Sequence, residues 1–326
     1  MINRPMISRR MFLRTLLALP TVLLLAYVSG HQLLGTSRDY AAYKLFFDLF
    51  DRSTALSEYR FEVGYLIAAY FAKFVLSLSY NDFVFVLILF SLMIKFYALS
   101  QRSNFWMVVI YFILAWYPLH EYTQIRVAVA LSFSFLALVF LGHGRLRAAF
   151  ALGVGSVLFH SSLVVLVPFI IAGYTLRRWP IWISIAAMIF LAFFLKAIFW
   201  VAAFSLGKIS GNALAYFDFS AGAGIEYFSI AHLLMLAALL SALLSDGFSR
   251  IETRLSFLIT VASFPLMIAF SDNPVIGLRL KELFMSFSVL FVFQRALIWR
   301  AVPQMIFGFL FSLSSAYTYV ASGSFW

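Results

Sequence analysis

The sequence contains no cysteine, which excludes disulfide bonds, thiolate zinc sites and cysteine-ligated iron–sulfur clusters. It has no phosphate-binding loop of the form G-x-x-x-x-G-K-S/T, so ATP hydrolysis is not indicated. The five histidines are scattered along the chain without an H-E-x-x-H motif, and no short acidic pair of the metal-holding kind lies on an external loop. The sequence therefore predicts neither a resident metal nor another cofactor.

Charged residues are also scarce, at 11% of 326 residues, where a soluble domain has about a quarter. Apolar residues make up 64% of the chain, with 39 phenylalanines and a mean hydropathy of +0.97. Their runs are Met11–Val28, Phe83–Leu99, Phe105–Tyr117, Val127–Leu141, Ala148–Ala172, Ile181–Phe204, Ile230–Leu244, Leu255–Phe270, Leu283–Leu297 and Met305–Val320. Because backbone polar groups in lipid must be paired within their own segment, these runs predict an all-α polytopic transmembrane helix bundle of about 10–12 spans. We expect a single integral membrane domain over residues 1–326.

The formal net charge of +11 would suit nucleic-acid binding, but the cations lie at the ends of apolar runs, as the positive-inside rule describes. No nucleic acid is therefore expected as a partner. Arg9 and Arg10 predict a cytoplasmic N-terminus, in a multi-pass protein of a bacterial inner membrane. The same rule predicts external loops at 31–61, 207–228 and 271–282.

The topology of the middle of the chain has two solutions. Counting each run once places Arg126 on the cytoplasmic side and Arg145 outside, against the positive-inside rule. If the run Ala148–Ala172 breaks and turns back at His160, Arg126 lies outside instead, provided that another segment such as Phe105–Tyr117 is also re-entrant. Broken helices at membrane depth are tolerated where they line a cavity. Both arrangements stay open at this point.

The first external loop predicts an amphipathic helix from Arg38 to about Arg52 that lies in the outer interface of the membrane. Its apolar face would carry Tyr40, Tyr43, Phe46, Phe47 and Phe50, and its polar face Lys44, Asp48, Asp51 and Arg52. The helix could instead merely cover the bundle. Asp39, in its first turn, could act as a charge or a base. The spacing of Asp48 and Asp51 resembles a metal pair, but solvated charges explain it better.

Four polar residues inside, beside or between apolar runs are candidates for chemistry. Arg126 stands between two runs, where a guanidinium must face the bundle interior, a cavity or the interface, and arginine suits bidentate phosphate binding. His160 lies inside a run before two serines; it is either a hydrogen-bonded core residue or a proton acceptor near neutral pH. Glu62 stands at the start of the second span, which begins at Val63, and is either a helix-start charge or a base. Arg279 would be a second phosphate ligand or an interfacial anchor.

An ordered set of motifs in the chain resembles the EpsG family, which is related in role to the Wzy O-antigen and capsule polymerases. The motifs are Asp39-Tyr40-x-x-Tyr43, Glu62-x-Gly64-Tyr65, Ile125-Arg126, His160-Ser161-Ser162-Leu163 with Pro168, and the late Arg279. The resemblance covers roughly residues 37–300. The chain departs from the family pattern at Val63, where proline is common, and at Val127, where glutamine is common.

The resemblance implies a metal-independent membrane glycosyltransferase. Such proteins transfer a growing glycan from polyprenyl pyrophosphate to the next lipid-linked repeat unit on the periplasmic side, in O-antigen, capsule or exopolysaccharide synthesis. Arg126 and Arg279 would neutralise the pyrophosphate, and Glu62, Asp39 and His160 are equal candidates for the base. Substrate contacts would come from Arg38, Tyr40, Tyr43, Tyr65, Gln124 and Ser161, with the tyrosines stacking on sugar rings. The implied partners are the polyprenyl-pyrophosphate-linked oligosaccharide, membrane lipids and a chain-length regulator.

Two other functions use similar residues. An O-antigen ligase-like enzyme would move the glycan to a different lipid acceptor, and a transporter or flippase would carry a lipid-linked anionic substrate between buried arginines and broken helices. The halves of the chain show no internal repeat, and the polar residues concentrate towards one face of the membrane, which favours the polymerase over the transporter.

Overall fold

The computed structural model describes residues 9–37, 39–51, 61–205, 229–245, 248, 250–293 and 301–321. All regular secondary structure in these ranges is helical. The α-helices are α1 Arg9–Gly30, α2 Tyr40–Leu49, α3 Val63–Tyr70, α4 Tyr80–Ser100, α5 Phe105–Ala115, α6 Ile125–Gly142, α7 Leu146–Phe159, α8 Leu166–Thr175, α9 Ile181–Ser205, α10 Ile230–Leu244, α11 Ile251–Ala269, α12 Pro274–Met285 and α13 Val302–Ala321. Shorter π-helical segments at Phe71–Val75 and Pro118–Thr123 and 3-10 turns at Ser161–Val165, Leu176–Arg178 and Ser286–Leu290 complete them.

Six helical segments in the described ranges are long and apolar enough to cross a membrane. They are Leu13–Gly30, Tyr80–Ser100, Ile125–Gly142, Ser161–Arg178, Ile181–Phe199 and Ile251–Ala269, and four shorter apolar helices accompany them. This confirms an all-α, polytopic membrane protein. The 11 residues of α5 give a length of about 16 Å, roughly half of a hydrocarbon core. The exact number of spans, and the re-entrance of this segment, stay predictions.

The chain divides into two compact units, Met1–Ser161 with Phe293–Ile298 and Gly308–Trp326, and Ser162–Val292 with Trp299–Phe307. The single membrane domain expected over the whole chain stays a prediction. In the first unit α6 lies between α4 and α7, and α1 packs against α4. A hydrogen bond of 2.7 Å between the hydroxyls of Ser134 and Ser156 joins α6 to α7 in a buried position. In the second unit α11 is the most buried helix and packs against α8, α9 and α12.

One close helix approach in the first unit depends on a glycine. A Cβ atom added to Gly64 would lie 2.8 Å from the carbonyl oxygen of Leu158 and 2.9 Å from a ring carbon of Phe159. Only a residue without a side chain therefore lets the first turn of α3 approach the last turn of α7 this closely. This approach brings Glu62, which precedes α3, next to His160, which follows α7.

The predicted amphipathic helix exists in a shorter form. It begins at Tyr40 rather than at Arg38, which lies outside the described residues, and it ends at Leu49. Tyr43, Phe47 and Phe50 are buried, whereas Lys44 and Asp48 are exposed and paired at 2.5 Å, so the predicted faces are confirmed.

The structure adds detail between residues 271 and 293, whereas the external location of 271–282 stays a prediction. Most of the predicted loop 271–282 is helical, because Asn273 Oδ1 accepts from the Ile276 N–H at 3.2 Å and Pro274 occupies the first turn of α12. The described part of the apolar run Leu283–Leu297, residues 283–293, is not a continuous α-helix. The chain leaves α-helical geometry after Met285, where the Ser286 hydroxyl bonds back to the Leu283 carbonyl at 2.7 Å. The predicted loop 207–228 lies outside the described residues.

Candidate active site

Five of the polar residues singled out from the sequence meet in one place in the first unit. They are Arg126, Glu62, Tyr43, His160 and Ser161, and we call them the Arg126 cluster. They come from four separate elements, namely α2, the residue before α3, the first turn of α6 and the break after α7. Residues 43 and 161 are far apart in sequence, so only the tertiary fold brings them together.

The guanidinium of Arg126 is held on two sides. Its Nη1 donates to Glu62 Oε2, and its Nε donates to the Tyr43 hydroxyl at 2.8 Å. The side chains of Arg126 and Glu62 are 21% and 17% exposed, so the pair is largely but not completely withdrawn from solvent. The guanidinium carbon also lies 4.8 Å from the centre of the Phe61 ring and 5.4 Å from that of Tyr43, in cation–π geometry.

The other oxygen of Glu62 faces the helix break at His160. Glu62 Oε1 lies 3.3 Å from His160 Nδ1, and 3.4 Å from both the backbone nitrogen and the hydroxyl oxygen of Ser161, which donate to it. His160 has extended backbone angles (φ −153°, ψ 105°), so α7 ends at Phe159 and a new helical segment begins at Ser161. The break predicted at His160 is therefore present, and it presents the imidazole and the Ser161 N–H to the carboxylate.

The charges around Glu62 fix its protonation state. Burial alone would raise the pKa of Glu62, but the contact with His160 and the positive charge of Arg126 outweigh burial and lower the pKa to about 2. The carboxylate is therefore ionised at any physiological pH. Burial raises the pKa of Tyr43 despite the neighbouring Arg126, so this phenol stays neutral and can donate or accept a hydrogen bond.

An aromatic wall closes one side of the Arg126 cluster. The ring centres of Tyr43 and Phe61 are 5.4 Å apart, and those of Tyr43 and Tyr65 are 5.6 Å apart. Tyr65 is completely buried, and its hydroxyl has no hydrogen-bond partner among the described residues. The sugar stacking suggested for Tyr43 and Tyr65 does not fit this arrangement, because both rings are covered by neighbouring aromatic rings.

Helix α2, which carries Tyr43, is fastened at both ends. The Tyr40 hydroxyl donates to Asn81 Oδ1 on α4 at 2.7 Å. At the other end Lys73 donates to three backbone carbonyls, those of Phe47 at 2.6 Å, Asp48 at 2.7 Å and Phe50 at 2.9 Å. These are the carbonyls that a helix C-terminus leaves unpaired, and a cation suits that end of the helix dipole. Tyr40 and Lys73 thus hold α2 against α4 and against the π-helical segment Phe71–Val75 that follows α3.

A comparison with protein-family models matches the EpsG family over residues 15–324, which is nearly the whole chain. The chain belongs to the EpsG family. EpsG proteins are Wzy-like polysaccharide polymerases, so this is a membrane enzyme of the polymerase and glycosyltransferase type. No curated protein and no solved structure matches the chain significantly.

Three further predicted site residues of this EpsG chain lie within the described ranges, Asp39 and Gln124 in the first unit and Arg279 in the second. Asp39 is exposed and precedes α2, and its charge acts on Tyr43. Gln124 is half-buried immediately before α6. Arg279 is exposed on α12 of the second unit. Arg38 lies outside the described residues. Within the described residues, no group of three His, Asp or Glu side chains could hold a metal ion.

Sequence reasoning missed a second polar group of the first unit. Lys95 on α4 forms an ion pair with Glu121 in the π-helical segment, and their side chains are only 1% and 0% exposed. His120 is also buried and stacks on Trp116, with ring centres 5.7 Å apart. A lysine within an apolar span needs a partner at membrane depth, and that requirement could have drawn attention to Lys95.

Proposed function

We propose that this EpsG-family protein is a glycosyltransferase that joins polyprenyl-pyrophosphate-linked oligosaccharide repeat units on the periplasmic side of the bacterial inner membrane. The observation that carries the proposal is the Arg126 cluster, which combines a guanidinium, an ionised carboxylate and an imidazole in one partly solvent-accessible place. This combination suits a reaction in which a phosphate leaving group departs and a hydroxyl loses its proton.

Arg126 is suited to stabilise the leaving group. Its contacts with Tyr43 and Glu62 use Nε and Nη1, which leaves N–H groups of the planar guanidinium for oxygens of the pyrophosphate. As the bond between the anomeric carbon and the phosphate oxygen breaks, negative charge grows on that oxygen. A guanidinium already held by two partners needs little reorganisation to stabilise the charge.

His160 is the better candidate for the base, and Glu62 for the group that orients it. A carboxylate with a pKa of about 2 binds a proton weakly and is a poor acceptor at neutral pH. When His160 Nδ1–H faces Glu62 Oε1, the other ring nitrogen can take the proton from the acceptor hydroxyl. The hydroxyl oxygen then forms the new bond to the anomeric carbon, the polyprenyl pyrophosphate leaves, and the proton passes from His160 to water.

The experiment that tests this function is elongation of a purified lipid-linked repeat unit by the full-length protein in nanodiscs. The wild type should form longer lipid-linked glycans without added nucleotide. Arg126→Ala and His160→Asn should each reduce elongation strongly, whereas the exposed Arg147→Ala serves as the matched control and should not.

Three outcomes would contradict the proposal. The first is elongation by Arg126→Ala at the wild-type rate. The second is transfer of the glycan only to a different lipid acceptor, as a ligase would show. The third is movement of the intact lipid-linked substrate across the bilayer without a new glycosidic bond, as a flippase would show.

A further inference from the structure

Folding stability alone does not explain why the charged residues Lys95 and Glu121 are buried as a pair. Both side chains are essentially inaccessible to solvent, and Lys95 belongs to one of the helices able to cross a membrane. Removing two charges from water is costly, and apolar side chains of similar size often serve folding equally well. Among the described residues, the second carboxylate oxygen of Glu121 has no hydrogen-bond partner of regular geometry. The charges therefore call for another explanation.

That explanation comes from the segment to which Glu121 belongs. Between α5 and α6 the chain follows a π-helical segment, Pro118–Thr123, and then Gln124 with φ −102° and ψ 61° before α6 begins. Arg126 is the second residue of α6. Because regular α-helical hydrogen bonding is interrupted here, α5 does not fix where α6 starts or how its first turn is rotated. Side-chain contacts have to set the position of Arg126.

Two such contacts come from one face of α4. Lys95 binds Glu121 before Arg126, and the Ser91 hydroxyl donates to the Ala128 carbonyl after Arg126 at 2.9 Å. Ser91 and Lys95 are one helical turn apart and therefore share a face of α4. The two contacts fix the chain on either side of Arg126, at Glu121 five residues before it and at Ala128 two residues after it.

We infer that Lys95 and Glu121 are positioning residues, which set the register of the first turn of α6 and thereby aim Arg126 at the pyrophosphate. The inference rests on the proposed function. An ion pair in a low-dielectric interior is suited to this task, because a shift of α6 by one turn would leave both charges buried and unpaired. An apolar contact would tolerate such a shift with little penalty.

The test compares three variants with the wild type in the elongation assay. The double variant Lys95→Met with Glu121→Met should fold and express well but lose at least tenfold in kcat/KM, chiefly through a lower kcat, because Arg126 acts on the charge that grows in the transition state. The single variant Glu121→Gln should be at least as impaired, and the swap Lys95→Glu with Glu121→Lys should recover part of the loss. The exposed pair Lys44 and Asp48, changed together to Met and Asn, is the matched control and should stay within twofold of the wild type.

A second readout does not require activity. The native chain has no cysteine, so Gln124→Cys reports on the start of α6 through its rate of labelling by a hydrophilic maleimide. This rate should change at least threefold when Lys95 and Glu121 are both methionine, and should not change in the control. Wild-type labelling and wild-type kcat/KM in the methionine variant would overturn the positioning role. Failure of the wild type to elongate at all would instead overturn the proposed function, and the labelling result would still decide the register.

Discussion

Replacing Glu62 with glutamine removes one negative charge from the Arg126 cluster while it keeps the size and shape of the side chain. In the wild type the carboxylate accepts from Arg126 through one oxygen, and its other oxygen faces His160 and Ser161. A neutral amide can still accept one hydrogen bond from the guanidinium, but it no longer balances the charge. It also presents either an oxygen or an N–H group, not two acceptors, to its neighbours.

The size of the effect follows from the exposure of the pair. A hydrogen bond to a charged group contributes about 1.5–3 kcal/mol, and exposed ion pairs contribute less. Because the Arg126 and Glu62 side chains are 21% and 17% exposed, we expect a loss in the lower part of that range, about 2 kcal/mol. If this loss appears in the transition state, kcat/KM falls by about 30-fold.

The assay is steady-state elongation by purified Glu62→Gln beside the wild type, with Asp48→Asn as the control. Asp48 is an exposed carboxylate that is also paired with a cation, Lys44, so its replacement should change kcat/KM by less than twofold. An unchanged kcat/KM for Glu62→Gln, together with a requirement for Arg126, would refute Glu62 as the counter-charge and orienting group.

Three further predictions concern the Arg126 cluster and the close helix approach at Gly64 beside it. The folded-state pKa of Glu62 is about 2, below the ordinary 4.5, so the carboxylate stabilises the fold fully above about pH 4.5 and loses this effect as the pH falls towards 2. The difference in thermal stability between the wild type and Glu62→Gln should therefore shrink over that range. A constant difference would contradict the lowered pKa. Tyr43→Phe removes the hydroxyl that binds Arg126 Nε and should cost about 1 kcal/mol, or roughly fivefold in kcat/KM, with an unchanged value counting against a positioning role. Gly64→Ala should lower both the melting temperature and the activity, because the new Cβ atom would lie 2.8 Å from a carbonyl oxygen of α7. The control Gly153→Ala has open space around its Cβ atom and should lower neither. Equal effects of the two variants would be inconsistent with the close approach.

The sequence predicted the surroundings of a residue correctly where the neighbouring residues in the chain determine them. An arginine between two apolar runs has to face something polar, and a His-Ser-Ser cluster inside an apolar run indicates a break. The structure has both features, with Arg126 bound to a carboxylate and α7 ending before His160. The amphipathic pattern of α2 likewise predicted its buried Tyr43 and Phe47.

Contacts between distant segments could not be predicted in this way. Nothing near Lys73 in the sequence indicates that it binds the C-terminal carbonyls of α2, and nothing near Lys95 indicates Glu121 as its partner. The approach of α3 to α7 at Gly64 also depends on helix packing rather than on a local signal. Helix α12 was missed because its charged residues, including Arg279 and Lys281, resembled a loop when hydropathy alone was considered.

We propose that this EpsG-family protein forms glycosidic bonds with a lipid pyrophosphate as the leaving group. The most direct measurement supplies the purified wild type with one defined lipid-linked repeat unit and quantifies both products of a single turnover. We expect one free polyprenyl pyrophosphate for each new glycosidic bond, with the glycan of the product lengthened by one repeat and still attached to lipid. Consumption of the substrate with release of free glycan, or no release of polyprenyl pyrophosphate, would contradict it.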